Sequence, residues 1–310
     1  MELGLMTEPQ VGGSYERLLE LARWSEDQGV DAFARSDHYL NGEQSAHATD
    51  ALTTLAGLAR ETTSIALVVL VSPLTFRHPA VLAKSAATLD EMSGGRFSLG
   101  IGTGWMETEH EAFGIELFSL RERFSRFFET LSYVRAAVSG TDGFIGRHYA
   151  LAPGVDVLPR PDNMPIVVGG TGMRKTPALA GRFADEYNMF TTDAHTIERR
   201  LEVMREAAAD AERNPDAIRI SISSPVIAAD SEEAYRNLLG ERGARRDMTA
   251  DEYEAFLAAR NIPRGTHDML GDALTVYDNL GVSRFYVQEY KALDEIDTNE
   301  LEPVFNALRR

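Results

Sequence analysis

The residues able to do chemistry fall at four places, each just past a run that reads as a buried strand. Ser36, Asp37 and His38 follow the run 30–34. An imidazole there can donate or take a proton near neutral pH, and Asp37 can accept a hydrogen bond from a ligand N–H. Adjacent strand residues face opposite ways, so the two need not pair with each other. A loop capped by Asp37, with His38 half exposed, accounts for the same residues without a function. Val71, Ser72 and Pro73 end a β-branched run. Proline cannot continue a parallel ladder, and a Ser–Pro bond turns cis at modest cost, so this is either a plain terminator or a kink that supports a flat ligand. The segment from Gly100 through Gly102, Thr103 and Gly104 to Trp105 lets backbone approach a ligand and offers an indole to stack on it or wall it in. The rival is a tight turn over a core tryptophan. Gly169, Gly170, Thr171, Gly172 and Met173 then lead into Arg174 and Lys175. A glycine turn opening a helix presents N–H groups to an anion, although neither GxGxxG nor the GK[ST] of a phosphate-binding P-loop occurs.

These four places share a position in a repeating plan. Runs at 2–6, 30–34, 64–71, 96–101, 166–169, 184–188, 218–227 and 284–288 read as strands. Helical spacing separates them: Leu18, Leu21 and Ala22 after a Ser14 cap, then 50–61, 79–92, a short stretch at 107–113, 120–139, a helix ending at Gly181, and 194–213. Further helices are expected from 230–241, at 266–280 and at 298–308. The segment 140–165, rich in proline and glycine, breaks the rhythm as an insertion after the fourth helix, with a short hairpin at 143–151. The segment 243–265 reads as a second helical excursion before strand eight. Eight such units predict one (β/α)8 TIM barrel over residues 1–310, with an open doubly wound sheet as the rival. In a barrel, residues past the carboxyl ends of the strands face the site.

The composition narrows the function. A net charge of −17 repels phosphate backbones, so nucleic acid is not an expected partner, while a local positive pocket for a small anion remains compatible. No cysteine is present, which removes disulfides, thiolate catalysis and cysteine metal sites. His47, His78, His110, His148, His195 and His267 show no metal-ligand spacing, so no metal is expected. The acidic run 107–111 reads as a solvated face or helix start. The first residues carry no basic, then apolar, signal pattern, and the longest apolar run, 65–71, is far short of a membrane span. A cytoplasmic protein without membrane contact is the expectation.

Longer segments carry a resemblance: GVDAFARSDHY at 29–39, FRHPAVLAKSAATLDEMSGGRFSLGIGTGWMETEHEAFG at 76–114, PIVVGGTGMRKTPALAGRFADEYN at 165–188 and GVSRFYV at 281–287. Through them the chain resembles the luciferase-like monooxygenase superfamily, and within it the coenzyme F420-dependent oxidoreductase branch, over essentially its whole length. The resemblance implies a (β/α)8 barrel with an insertion, a homodimer, and the deazaflavin F420, or alternatively FMN, in the barrel mouth beside a small-molecule substrate. Asp37 matches a position near the deazaflavin ring and His38 a histidine implicated in catalysis. Val71 and Ser72 match a bulge that often contains a cis peptide, at Val71–Ser72 or Ser72–Pro73 here. Gly102, Thr103 and Gly104 match the backbone holding the cofactor, and Gly170, Gly172 and Met173 its phosphate cradle. Sugar-phosphate and alcohol dehydrogenases of that branch carry a glutamate after the threonine–glycine pair. This chain has Trp105 there, lining the substrate pocket, and the acid's role is left unfilled, with Glu107 and Glu109 further along. The expected activity is hydride transfer between F420 and an organic substrate, with an FMN-dependent monooxygenase of the bacterial luciferase type, or a non-catalytic flavin-binding barrel, as alternatives.

Overall fold

The computed structural model describes residues 1–41, 48–140, 143–155 and 157–309. Eight parallel strands close into a barrel: β1 (Glu2–Thr7), β2 (Ala32–Arg35), β3 (Ala66–Pro73), β4 (Phe97–Gly102), β5 (Ile166–Gly169), β6 (Glu186–Phe190), β7 (Arg219–Ser224) and β8 (Arg284–Glu289). Each pairs with its neighbours in sequence, and β8 returns to β1 in the register Glu2 to Arg284 through Thr7 to Glu289. Alternation of side chains sorts the strands into two apolar sets. Leu3, Leu5, Phe33, Leu67, Val69, Phe97 and Leu99 face the helices in one large core. Met6, Ala32, Ala34, Val68, Leu70, Val167 and Tyr286 fill the barrel interior. Each such leucine contributes about 1.5–3 kcal/mol by leaving water.

The helices follow the strands as the periodicity predicts. Ser14 caps α1 (Tyr15–Asp27) by accepting from the Arg17 amide, and Leu18, Leu21 and Ala22 turn inward. Asp50 caps α2 (Ala51–Glu61) in the same way through Thr53. Next come α3 (Pro79–Ser93), α4 (Glu107–Phe113), α5 (Leu120–Ser139), α6 (Lys175–Phe183) and α7 (Ala194–Asp210). In the 140–165 insertion, Phe144–Ile145 pairs antiparallel with Ala150–Leu151, the expected hairpin.

The region before β8 differs from the expectation in part. Here α8 (Glu232–Ala244) is the helix expected from 230–241, and the excursion expected at 243–265 holds one helix, α9 (Ala250–Ala258), rather than a pair; the two pack around a small core of Ile227, Tyr235, Leu239, Tyr253, Leu257 and Ile262. The continuous helix expected at 266–280 is instead a strand, Arg264–Thr266, a 3-10 turn, and two short helices, Leu270–Ala273 and Thr275–Asn279. The cause is pairing: Ile227–Ala229 leaves β7 with free backbone groups, and Arg264–Thr266 satisfies them in parallel.

At the amino ends of the strands, charge closes the barrel. Arg284 pairs with Glu2 at 2.6 Å and with Glu186 at 2.8 Å, and Arg219 reaches Glu2 at 3.2 Å. The Tyr286 hydroxyl donates to Glu186 above them. The opposite end, where the four motifs sit, is the mouth. Among the described residues no helix is long and apolar enough to cross a membrane.

Candidate active site

His38 stands just past β2, and α4 delivers its partner. Glu109 is completely buried, and its Oε2 lies 3.0 Å from His38 Nδ1. Its Oε1 accepts from the amides of Tyr39 and Leu40. Burial opposes charge on Glu109, but these hydrogen bonds hold its carboxyl below the usual range. An ionised carboxylate only accepts, so Nδ1 of His38 carries the proton and Nε2 has no partner among the described residues. Burial pulls the His38 pKa down, yet the hydrogen bond and charge of Glu109, with Glu8 and Asp37 beyond, outweigh it and raise the pKa. The acidic run 107–111 is therefore not a solvated face. Glu109 and His110 both turn inward, because α4 lies along the rim and presents that side to the mouth. Glu109 stands four residues, about one helical turn, beyond Trp105 in the sequence.

Trp105 projects from the rim, 67 % exposed, with its ring edge-on to His38 at 5.8 Å. Tyr39 stacks on Phe76 at 4.7 Å and meets Phe113 edge-on, extending this aromatic wall. Beneath it, His110 donates from Nδ1 to the Met106 carbonyl, and its Nε2 meets the Thr75 hydroxyl at 2.7 Å.

Asp37 is fully buried and engaged by Arg77, a residue the motif reading passed over. The same guanidinium reaches the Ser72 hydroxyl at 3.0 Å, the Tyr39 hydroxyl at 3.1 Å and the Asp50 carboxylate. Burial opposes ionisation of Asp50, but the Thr53 amide and Arg77 bring its pKa to about 2. Arg35 lies alongside, fully buried, with its guanidinium on the Ser36 and Thr49 carbonyls and the Thr54 hydroxyl. Burial lowers its pKa to about 10. Two cations thus fix the backbone on which Asp37 and His38 stand.

The end of β3 supplies a floor. The β3–β4 register shifts between Val69 and Ser72, and the cis peptide is Leu70–Val71, one bond before the expected pair. The bulge begins as soon as Val69 has made its ladder contact. It swings Val71 over three glycines: an added Cβ would meet Val71 atoms at 2.9 Å from Gly100, 2.6 Å from Gly102 and 2.8 Å from Gly169. Only glycine on β4 and β5 leaves room for that side chain, which makes a smooth apolar step in the mouth. Gly104 turns left-handed at φ +74°, and its carbonyl accepts from Arg123. Thr103 is half-buried beside it.

Gly170 and Gly172 wrap around Thr176, whose side chain would meet an added Cβ at 3.1 and 2.9 Å. Met173 is exposed at the turn's edge. From α7, Arg200 donates to the Thr171 carbonyl at 2.7 Å. It is only 7 % exposed, and its Nε and Nη1 have no partner among the described residues. A buried cation without a counter-charge favours an anion at the turn above it. The nest under Val71 and the charged turn together suit a flat ring with a phosphate tail, so the residues present fit FMN or F420.

A polar chain crosses the mouth deeper down. Ser36 donates to Gln10, Gln10 to Glu8, and Gln288 of β8 to the other Glu8 oxygen. The Gln288 Oε1 is buried and unpartnered among the described residues, an acceptor facing no donor of the chain. Contacts thus join Asp37, His38, Val71, Ser72, Gly102 and Trp105 in one mouth, with the 169–173 turn continuing from Gly169. The motif reading missed Glu8, Gln10, Arg77, Arg200 and Gln288. Of these, only Arg77 lay inside a quoted segment. Of the remaining histidines, His78 caps α3 and His267 pairs with Asp230, whereas His47 lies outside the described residues.

Known proteins resemble this chain in sequence or in fold. A pyrimidine monooxygenase, RutA, of Pseudomonas savastanoi pv. phaseolicola is 29 % identical over 242 residues, 74 % of this chain. An F420-dependent glucose-6-phosphate dehydrogenase of Gordonia bronchialis is 31 % identical over 209 residues, 65 % of this chain. The matches span only 65 % and 61 % of those relatives' lengths. Among solved structures, an F420-dependent secondary alcohol dehydrogenase in complex with an F420–acetone adduct superposes with a TM-score of 0.81 at 18 % identity, over 100 % of this chain and 99 % of the other. The monooxygenase RslO1 from Streptomyces bottropensis also gives 0.81, at 23 % identity, over 99 % and 97 %. These two likenesses speak for the fold. The family model described as luciferase-like monooxygenase matches residues 1–287, and the chain belongs to that family.

Proposed function

We propose that the protein is a flavin-dependent monooxygenase, using reduced FMN and oxygen to oxidise a small organic substrate in the barrel mouth. The observation that carries this reading is the aromatic wall at the rim, where Trp105 stands edge-on to His38 and Tyr39 stacks on Phe76. When bound, reduced FMN would supply the electrons that activate oxygen. The chain's part is placement and proton management. Val71 would support the ring, and Gly170, Gly172 and Arg200 would hold the phosphate. Nε2 of His38 takes or gives the proton that substrate oxidation leaves to be managed, while Glu109 keeps the imidazole in one tautomer and stabilises its cation. Trp105, Tyr39 and Phe113 would offer apolar faces that favour an apolar or flat substrate over a phosphosugar. Monooxygenases among the relatives, and Trp105 in place of the dehydrogenase glutamate, support this choice.

A second reading is hydride transfer between F420 and the substrate. It is favoured by Glu109, which returns a carboxylate to His38 by another route. Oxygen uptake on mixing the protein, reduced FMN and candidate substrates separates the two. Substrate-dependent loss of F420 absorbance without oxygen uptake would replace the first reading with the second, and neither response would leave a binding barrel. In the active assay, His38→Ala is expected to lower turnover by roughly 10²–10⁴-fold while sparing cofactor affinity.

A further inference from the structure

The polar chain in the mouth ends on an open acceptor, and the chain itself dictates which atom that is. Side chains alternate along β8, so Gln288 points into the barrel on the same face as Tyr286, and it is only 2 % exposed. As a carboxylate, Glu8 can only accept. One of its oxygens takes Nε2 of Gln10 at 2.6 Å and the other takes Nε2 of Gln288. Both amides are thereby fixed with their nitrogens toward Glu8 and their oxygens away from it. Ser36 donates to the Gln10 oxygen at 2.7 Å. The Gln288 oxygen receives no hydrogen bond among the described residues.

The polar side chains further round the barrel are committed to one another. Asn188 of β6 donates to the Ser221 and Ser223 hydroxyls of β7 at 3.0 and 3.1 Å, and Ser223 donates back to Asn188. A buried amide oxygen without a donor costs free energy that a ligand N–H or O–H recovers. The position of Gln288 says which ligand. In a ring of eight strands, β8 lies four strands from β4 in either direction. Gln288 therefore faces, across the mouth, the strand whose Gly100 and Gly102 make room for Val71. A donor that reaches it belongs to whatever fills the space between that strand and the Val71 step.

We propose that Gln288 is a specificity-determining residue whose Oε1 accepts a hydrogen bond from the substrate, which is therefore a flat or apolar molecule carrying an N–H or O–H group. The inference rests on the reading of the mouth as a substrate site, which oxygenation and hydride transfer share. Such a donor has two sources, the substrate or the ring of the cofactor. The place of Gln288 opposite the Val71 step assigns it to the substrate.

Calorimetric titration of the FMN-loaded protein tests the proposal with two pairs of probes, indole and N-methylindole, and phenol and anisole. In each pair methylation removes the donor and keeps the flat frame. The wild type is expected to bind the donor member about tenfold more tightly. Gln288→Met keeps the volume and should erase that preference. Glu8→Gln carries the test if Gln288→Met does not fold. Its new amide can donate to the Gln288 oxygen and let the Gln288 nitrogen face the mouth, so the preference should fall and quinoline, with its ring acceptor, should bind more tightly than to the wild type. The proposal is overturned if the wild type binds the members of each pair alike, if it binds no donor probe, or if a folded variant keeps the wild-type preference. Loss of FMN affinity in Gln288→Met with the preference intact would place the donor on the cofactor and overturn it too. Failure of the wild type to load FMN would count against the cofactor reading, and the same titrations with F420 then decide. Oxygen uptake is measured separately, so a donor preference without uptake removes the monooxygenase reading and leaves Gln288 in its role.

Discussion

Glu109 lies 71 residues along the chain from His38, yet its Oε2 stands 3.0 Å from that imidazole's Nδ1 with no exposure to solvent. The pair has a definite pH signature. Burial alone would make the His38 cation less stable, and Glu109 more than reverses this, so the ring keeps its proton to higher pH than an ordinary histidine. Glu109→Gln keeps the burial and removes the anion. The limb of the turnover–pH profile set by His38 is expected to move to lower pH. An unmoved limb in a folded variant would assign the titration to another group.

Arg200 is expected to recognise phosphate in particular. Arg200→Met keeps the volume and removes the buried charge beneath the 170–172 turn. FMN affinity should fall about tenfold, while riboflavin, which lacks the phosphate, should bind as before. Equal losses for both ligands would mean that the variant deforms the turn. Gly170→Leu, which crowds Thr176, should weaken FMN well beyond any loss of stability.

Arg77 compensates a fully buried carboxylate. Arg77→Met strands Asp37 and should cost about 3–5 kcal/mol in urea unfolding. Asp50 adds an acid-side dependence. Its folded pKa of about 2 lies below the ordinary aspartate value near 3.9, so its contribution is complete above about pH 4 and is lost as pH falls toward 2. In the Arg77→Met variant this acid-side slope should flatten; the same slope in both proteins would remove Arg77 as its cause.

We propose a homodimer as the solution state, the assembly implied by the family resemblance. Light scattering at micromolar concentration should give about twice the chain mass, and a monomer mass would refute it.

The barrel was legible because its signals are local. Ser14 and Asp50 cap helices where the spacing says helices begin, and β-branched runs such as 64–71 read as strands without any knowledge of their partners. The break-up of 266–280 was not legible, since only the edge left by Ile227–Ala229 draws Arg264–Thr266 into a strand. The site divides along the same line. His38, Asp37 and the glycine turns stand at strand ends and could be named from position. Glu109 sits in a run of acids that looks solvated, and only the path of α4 along the rim turns it inward. Arg200 and Gln288 gain their meaning from hydrogen bonds they lack, which no spacing records.

The ionic lock of Glu2, Glu186, Arg219 and Arg284 makes the barrel a chamber with one door. On the proposed reading, cofactor and substrate would then share the entrance framed by Trp105. A flat ring held at Val71 would enter before the substrate that covers it and leave after the product. That reading therefore expects kinetics of compulsory order, set at the closed end of the barrel rather than by the residues beside the reacting atoms.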